Sequence, residues 1–127
     1  LGIGLDRANM LFRDSLGQDK ARLAQDPVLQ ALHGSDGPLW YRGYFVDESL
    51  GQARVEDWLA QLGVRHVLVG HTSQPVVHPL FEGRVIAIDS SIKKGKYGEL
   101  LFREQGTFSR GTPTGERLPL APLESEH

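Results

Sequence analysis

The segment RHVLVGHT, residues 65–72, joins a compact apolar run to a glycine, a histidine and a threonine. Such a run of β-branched and apolar residues predicts a buried strand of an α/β unit. Gly70 permits a tight turn where this strand ends, and His71 follows at its carboxyl end. Ligand sites of α/β sheets gather at that edge, where a neutral imidazole can bind zinc, iron or manganese. The alternative is a histidine held by a backbone hydrogen bond.

The residues around this segment predict an α/β fold with a helical N-terminal part and a mostly β C-terminal part. Residues 5–32 read as helical, with a break at Gly17 and a new start at Asp26-Pro27. A further helix ends before Gly63, which stands at a C-cap position. Its apolar face has the spacing i, i+3, i+4, i+7 and consists of Val55, Trp58, Leu59 and Leu62.

Downstream of residue 72 the pattern changes to short strands separated by turns. The expected strands are Val76–Val77, Val85–Ile88 and Tyr97–Phe102, and the expected turns lie at residues 81–84 and 105–106. From Arg110 onward the chain holds three of its seven prolines. We therefore expect one partial domain over residues 1–109 and a flexible tail over residues 110–127.

Composition excludes several classes of function. The 127 residues carry a formal net charge of -2 and form no basic stripe, which disfavours binding to nucleic acid. No apolar run is long enough to span a membrane. The chain contains no cysteine, so disulfides, thiolate metal sites and cysteine nucleophiles are excluded for these residues.

A second candidate element, GPLWYRGY at residues 37–44, places Arg42 among aromatic residues. The planar guanidinium can donate two parallel hydrogen bonds to a phosphoryl group. The alternative is an arginine stacked on Trp40 or Tyr41. A third element, Asp89, follows a predicted strand and could orient a metal-bound histidine, or it could only cap a turn.

Together these segments resemble the calcineurin-like metallophosphoesterase superfamily, and in particular the bacterial phosphoprotein-phosphatase-type enzymes of the Shewanella-like group. The resemblance covers residues 37–103 and is carried by GHT at 70–72, LWYRG at 39–43 and FEGRVIAIDS at 81–90. It implies the C-terminal half of a metallophosphoesterase β-sandwich with flanking helices. It also implies that His71 is a metal ligand and that Arg42 binds phosphate. Tyr97 is a further candidate for substrate binding, with core packing as the alternative.

The chain departs from that family in its metal site. The family builds a two-metal centre from Asp-x-His, Gly-Asp-x-x-Asp-Arg, Gly-Asn-His-Glu and His-Gly-Gly elements, and none of them occurs in this sequence. The chain also begins at Leu1 instead of a methionine. The resemblance therefore implies a C-terminal fragment that supplies at most one ligand to two divalent ions (Mn, Fe or Zn). We expect the isolated chain neither to bind metal tightly nor to turn over substrate.

The expected partners are a phosphorylated substrate, either a phosphoprotein or a nucleotide polyphosphate, and the missing N-terminal half. Neither nucleic acid nor a membrane is expected as a partner, and a cytoplasmic location is favoured over a periplasmic one. A different class of function stays open, in which the chain is a non-catalytic binding module or a remnant that associates with a separate N-terminal half.

Overall fold

The computed structural model describes residues 2–123 and divides the chain into two units, Leu1–Glu48 and Ser49–His127. The division falls inside the 1–109 region for which the sequence indicated one partial domain. The mixed α/β composition is confirmed, with helices early and strands late. None of the helices described is both long enough and apolar enough to cross a membrane.

The first unit consists of four helices: α1 Leu5–Ser15, α2 Lys20–Leu23, α3 Pro27–His33 and α4 Gly43–Val46. The predicted break at Gly17 and the predicted start at Pro27 are both confirmed. Asp26 caps α3, since its carboxylate accepts hydrogen bonds from the amides of Val28 (2.8 Å) and Leu29 (3.3 Å). The Ser15 hydroxyl lies 2.7 Å from His33 Nε2 and thereby joins α1 to α3.

The second unit begins with α5, Gln52–Leu62, followed by a three-stranded sheet. Its strands are β1 Val67–Val69, β2 His78–Leu80 and β3 Val85–Ala87, in the order β1-β3-β2. β3 pairs parallel with β1 and antiparallel with β2. All three residues of β3 are buried, as are Val55 and Leu59 of α5, so the core of this unit lies at the central strand and the helix.

The strand predicted at residues 65–69 is confirmed as β1, but the prediction that it is buried is wrong at its centre. Leu68 is 49% exposed. The cause is topological, because β1 is an edge strand within the described residues and a compact apolar run does not reveal which strand stands at the edge.

A second sheet is built from β4 Leu100–Glu104, β5 Thr107–Gly111 and β6 Arg117–Pro119, in that order and antiparallel throughout. The predicted hairpin turn at Gln105-Gly106 is confirmed, and both residues have positive φ, 49° and 85°, as a type I′ turn requires. Residues 110–119 were expected to be tail, yet β5 runs into them and β6 pairs with it. The main-chain pairing places this proline-containing stretch in the sheet, while residues 124–127 lie outside the described part.

Two predicted strands are displaced along the chain. Val76–Val77 precedes β2, and the Tyr97–Phe102 strand starts instead at Leu100. At these places the main-chain amides bond to side chains instead of to a neighbouring strand. The Val77 amide donates to the Glu99 carboxylate (2.9 Å), and the Glu99 amide donates to the Ser90 hydroxyl (2.8 Å). Side-chain bonds of this kind compete with sheet pairing.

The C-cap of α5 gives a test of the local backbone. Gly63 has φ 66° and its amide bonds to the carbonyls of Leu59 and Ala60. We expect Gly63→Ala to lower the free energy of unfolding by about 1 kcal/mol, and Gly63→Asn to lower it less, since asparagine tolerates the left-handed conformation. Urea unfolding of the three proteins measures this order, and equal stability of the alanine variant and the native chain would contradict it.

Candidate functional site

His71 lies in a tight turn directly after β1. The Thr72 amide donates to the Gly70 carbonyl over 2.8 Å, and His71 between them has φ 68°. This is the pattern of the rare, strained γ-turn. Strained residues of this kind occur at ligand sites more often than elsewhere, and the side chain of His71 is exposed. The turn therefore presents an imidazole to the surface at the carboxyl end of a strand.

Asp89 fixes the segment that follows this turn. Its carboxylate accepts hydrogen bonds from the Ser91 amide (2.9 Å) and the Ser73 hydroxyl (3.2 Å), and its carbonyl accepts from the Gln74 amide (2.7 Å). The turn-capping alternative is therefore what the structure shows for Asp89. A role for Asp89 in orienting a metal-bound histidine stays a prediction.

His78 is buried, and each of its ring nitrogens lies near an acceptor, with Nε2 3.2 Å from Gln74 Oε1 and Nδ1 3.3 Å from the Pro79 carbonyl. The Gln74 amide nitrogen in turn donates to the carbonyls of Thr72 and Ser73. Burial lowers the pKa of His78 below its ordinary value, although the bond to the Pro79 carbonyl acts in the opposite direction. The lowered pKa favours a neutral imidazole, whose single N–H donates to one of these two acceptors, and His78 in this form supports the 72–74 segment.

Glu99 is a residue that the sequence reasoning missed. Its side chain is fully buried, and its carboxylate accepts hydrogen bonds from the Val77 amide, the Tyr97 hydroxyl and Arg110 Nη1, the last at 3.0 Å. Arg110 Nε is buried and lacks a hydrogen-bond partner in the described part of the chain. The available signal was a lone acidic residue that precedes the apolar start of a strand, in the sequence YGELLF.

Tyr97, a predicted substrate-binding residue, is tied to this carboxylate. Its hydroxyl donates to Glu99 Oε1, and this bond raises the pKa of Tyr97 above its ordinary value because it favours the protonated phenol. Tyr97 is 41% exposed, so it is not a core residue. Contact between Tyr97 and a substrate stays a prediction.

Arg42 belongs to the first unit and lies over Trp40. Its Nη1 donates to the Trp40 carbonyl (2.9 Å), and the guanidinium carbon is 5.8 Å from the centre of the Trp40 ring. Stacking, the alternative considered from the sequence, is therefore present. A Cβ at position 43 would collide with the Tyr41 phenol as that ring is placed, so Gly43 allows the ring to lie against the main chain. Phosphate binding by Arg42 stays a prediction.

Among residues 2–123, no group of three or more His, Asp or Glu side chains is placed to hold a metal ion. The site that these residues build consists of an exposed imidazole on a strained turn, with a hydrogen-bonded support of Asp89, Gln74 and Glu99 behind it.

Similarity to known proteins was found among solved structures. No family model and no curated protein matches the chain. Among solved structures, it is similar to the cold-active protein-tyrosine phosphatase of a psychrophilic Shewanella species, with 44% identity and a TM-score of 0.88 over 94% of this chain. Nearly all of the chain resembles one segment of a phosphatase. That segment is 36% of the neighbour's length. A second structure of a cold-active protein tyrosine phosphatase shows the same identity and TM-score, with 35% of its length covered.

The buried ion pair yields a matched test. Glu99→Gln removes the negative charge opposite Arg110. It also replaces one acceptor oxygen by an NH₂ group, which then faces one of the three groups that donate to Glu99. Breaking a buried pair costs about 3–5 kcal/mol, and the partial exposure of Arg110 reduces this to about 2–3 kcal/mol. Glu104→Gln breaks the exposed pair with Arg117 (3.4 Å) and should cost less than about 1 kcal/mol. Urea unfolding measures both variants, and equal losses would refute the structural role of Glu99.

Because folding lowers the pKa of His78, we expect the stability of the chain to depend on pH. A histidine whose pKa is lowered by folding binds its proton more readily in the unfolded chain, so it contributes stability above its unfolded pKa and loses it as the pH falls through about 6.5. We expect the melting temperature to fall between about pH 7.5 and pH 5.5. The fall should be smaller in His78→Gln. Identical pH profiles of the two proteins would show that His78 does not titrate as described.

Proposed function

We propose that this chain is part of a metal-dependent phosphatase of the calcineurin-like type, which hydrolyses phosphate esters. The observation that carries the proposal is the likeness, at 44% identity over 94% of the chain, to proteins named as phosphatases. The chain spans about a third of those phosphatases. Activity therefore belongs to the complete protein in this proposal, and these residues supply a portion of its site.

His71 is the proposed metal ligand. Its exposed position on the turn after β1 supports this role, because an imidazole on a fixed turn can meet an ion without rearrangement of the chain. The remaining ligands would come from polypeptide outside these residues. Two bound ions would lower the pKa of a water molecule and stabilise charge on the phosphoryl group.

Arg42 is the proposed phosphate ligand. Its bond to the Trp40 carbonyl engages Nη1, while a guanidinium carries five N–H donors in a planar fork. Stacking on Trp40 limits the motion of the guanidinium and so reduces the entropy lost when phosphate binds. The stacked geometry is thus compatible with phosphate recognition.

The proposed substrate is a phosphorylated protein, with phosphotyrosine as the first candidate. The neighbours are named as protein tyrosine phosphatases, which favours a phosphoprotein over a nucleotide polyphosphate. The chain has no cysteine, so these residues offer no thiolate nucleophile for such a reaction. Metal-activated water is the chemistry that His71 could serve.

An assay of the complete protein on a phosphotyrosine peptide tests these roles. Arg42→Ala should lower kcat/KM by about a hundredfold, as loss of a donor to transition-state charge does. Arg54 is a matched control, since its guanidinium lies 5.6 Å from the Trp58 ring in the same stacked arrangement. Arg54→Ala should change kcat/KM by less than about twofold.

His71→Ala should lower the metal content of the complete protein, and added Mn²⁺ should restore part of its activity. A protein that keeps full activity in a chelator, or a His71→Ala variant with native metal content and rate, would overturn the assignment.

The isolated chain should bind divalent metal weakly, because one imidazole cannot hold an ion against solvation. Calorimetric titration with Zn²⁺ and Mn²⁺ should show no site tighter than about micromolar. The same titration of His71→Ala gives the baseline. A submicromolar site that this substitution abolishes would mean that the chain contains further ligands.

A further inference from the structure

Three of the four lysines of the chain stand within four residues of one another. They are Lys93, Lys94 and Lys96, and all three are exposed. The chain as a whole has a formal net charge of -2, so these lysines form a local excess of positive charge. They belong to residues 91–97, which connect the end of the first sheet to the segment before β4 and are called the lysine loop below.

The positive charge of the lysine loop is not neutralised by a neighbouring acidic residue. Among residues 2–123, no ion pair includes a residue of this loop. The carboxylate of Asp89, before the loop, accepts from the Ser91 amide and the Ser73 hydroxyl. The carboxylate of Glu99, after the loop, pairs with Arg110. The three ammonium groups therefore face solvent and can meet an anionic group there.

The lysine loop begins on the segment that leaves the His71 turn. The Ser91 hydroxyl donates to the Gln74 carbonyl over 2.8 Å, and Gln74 stands three residues after His71. Ser91 itself has φ 65°, and the chain turns directly into a single turn of 3₁₀-helix, Ile92–Lys94. The main chain thus ties the lysines to the same support that carries the exposed imidazole.

The lysine loop is folded back on itself. The Lys94 amide donates to the Ser91 carbonyl and the Gly95 amide donates to the Ile92 carbonyl, both over 2.9 Å. The Ile92 side chain lies against Gly98, since a Cβ at position 98 would come within 2.7 Å of Ile92 Cγ1. A main chain that is already ordered reduces the entropy lost when a partner binds.

We propose that the lysine loop selects phosphoprotein substrates with acidic residues beside the phosphorylated residue. The inference rests on the proposed function, because it takes hydrolysis of a phosphate ester beside His71 as given. An ammonium group acts as a point charge on a flexible stem, so we expect a preference for nearby negative charge and not for one sequence. The net negative charge of the chain disfavours nucleic acid as the anion.

Two phosphotyrosine peptides test this preference on the complete protein. One carries aspartates on both sides of the phosphotyrosine, and the other carries asparagines at the same positions. We expect kcat/KM to be about tenfold higher for the acidic peptide, as three exposed ion pairs together would give. The difference should lie in KM, because charges away from the phosphorus stabilise the bound substrate and the transition state alike. Raising NaCl from about 0.05 M to about 0.5 M should remove most of it.

Variants of the lysines show whether the loop causes the preference. Replacement of Lys93, Lys94 and Lys96 together by glutamine should bring the ratio of the two kcat/KM values to within about twofold of one. Lys94→Gln alone should lower the ratio by about two- to threefold. Lys20→Gln is the matched control, since it removes one charge from an exposed position on α2 and should leave the ratio unchanged. A loss of folded protein affects both peptides equally and does not change the ratio.

A ratio near one in the native protein, or an unchanged ratio in the triple variant, would overturn the inference. If p-nitrophenyl phosphate is hydrolysed and neither peptide is preferred, the proposed function stands and the role of the loop is wrong. Fluorescence anisotropy of the labelled peptides covers the case in which no ester is hydrolysed. Tighter binding of the acidic peptide that requires the lysines would then support the inference and count against the proposed function alone, whereas equal binding of the two peptides would overturn it.

Discussion

The buried carboxylate of Glu99 is the constraint on which the second unit depends. Removing a carboxylate from water costs several kcal/mol unless hydrogen bonds and an opposite charge replace the lost solvation. Glu99 obtains both, from the Val77 amide, the Tyr97 hydroxyl and the Arg110 guanidinium. These partners lie before β2, before β4 and on β5. One side chain thereby joins the strands of the second sheet to the segment that leaves the His71 turn.

This arrangement explains why an exposed, strained turn can keep its shape. The segment after His71 is held at Ser73 and Gln74 by Asp89, and at Val77 by Glu99. Neither acidic residue needs to touch a ligand for this purpose. The buried Ser90 hydroxyl accepts from the Glu99 amide and so links the two supports through neighbouring residues.

The elements that the sequence predicted correctly depend on local physics. The helix before Gly63, the start of α3 at Asp26-Pro27 and the turn at Gln105-Gly106 follow from spacing, capping and positive φ within a few residues. The exposure of Leu68, the pairing of β6 and the burial of Glu99 depend on which segments meet in space. The periodicity of the sequence does not show which segments meet in space. The candidate site divides in the same way. The turn at His71 and the stacking of Arg42 on Trp40, one of the two alternatives for Arg42, follow from neighbouring residues. The bonds of the Glu99 carboxylate to Tyr97 and Arg110 depend on contacts between side chains.

The structure of the complete protein, crystallised with Mn²⁺ and phosphate and with anomalous data for the metal, tests most directly whether His71 binds a metal and Arg42 binds phosphate. We expect a His71 ring nitrogen within about 2.0–2.3 Å of a metal ion, as imidazole ligands of divalent metals are, and the Arg42 guanidinium hydrogen-bonded to a phosphate. A metal centre without His71, or a phosphate held without Arg42, would contradict the account.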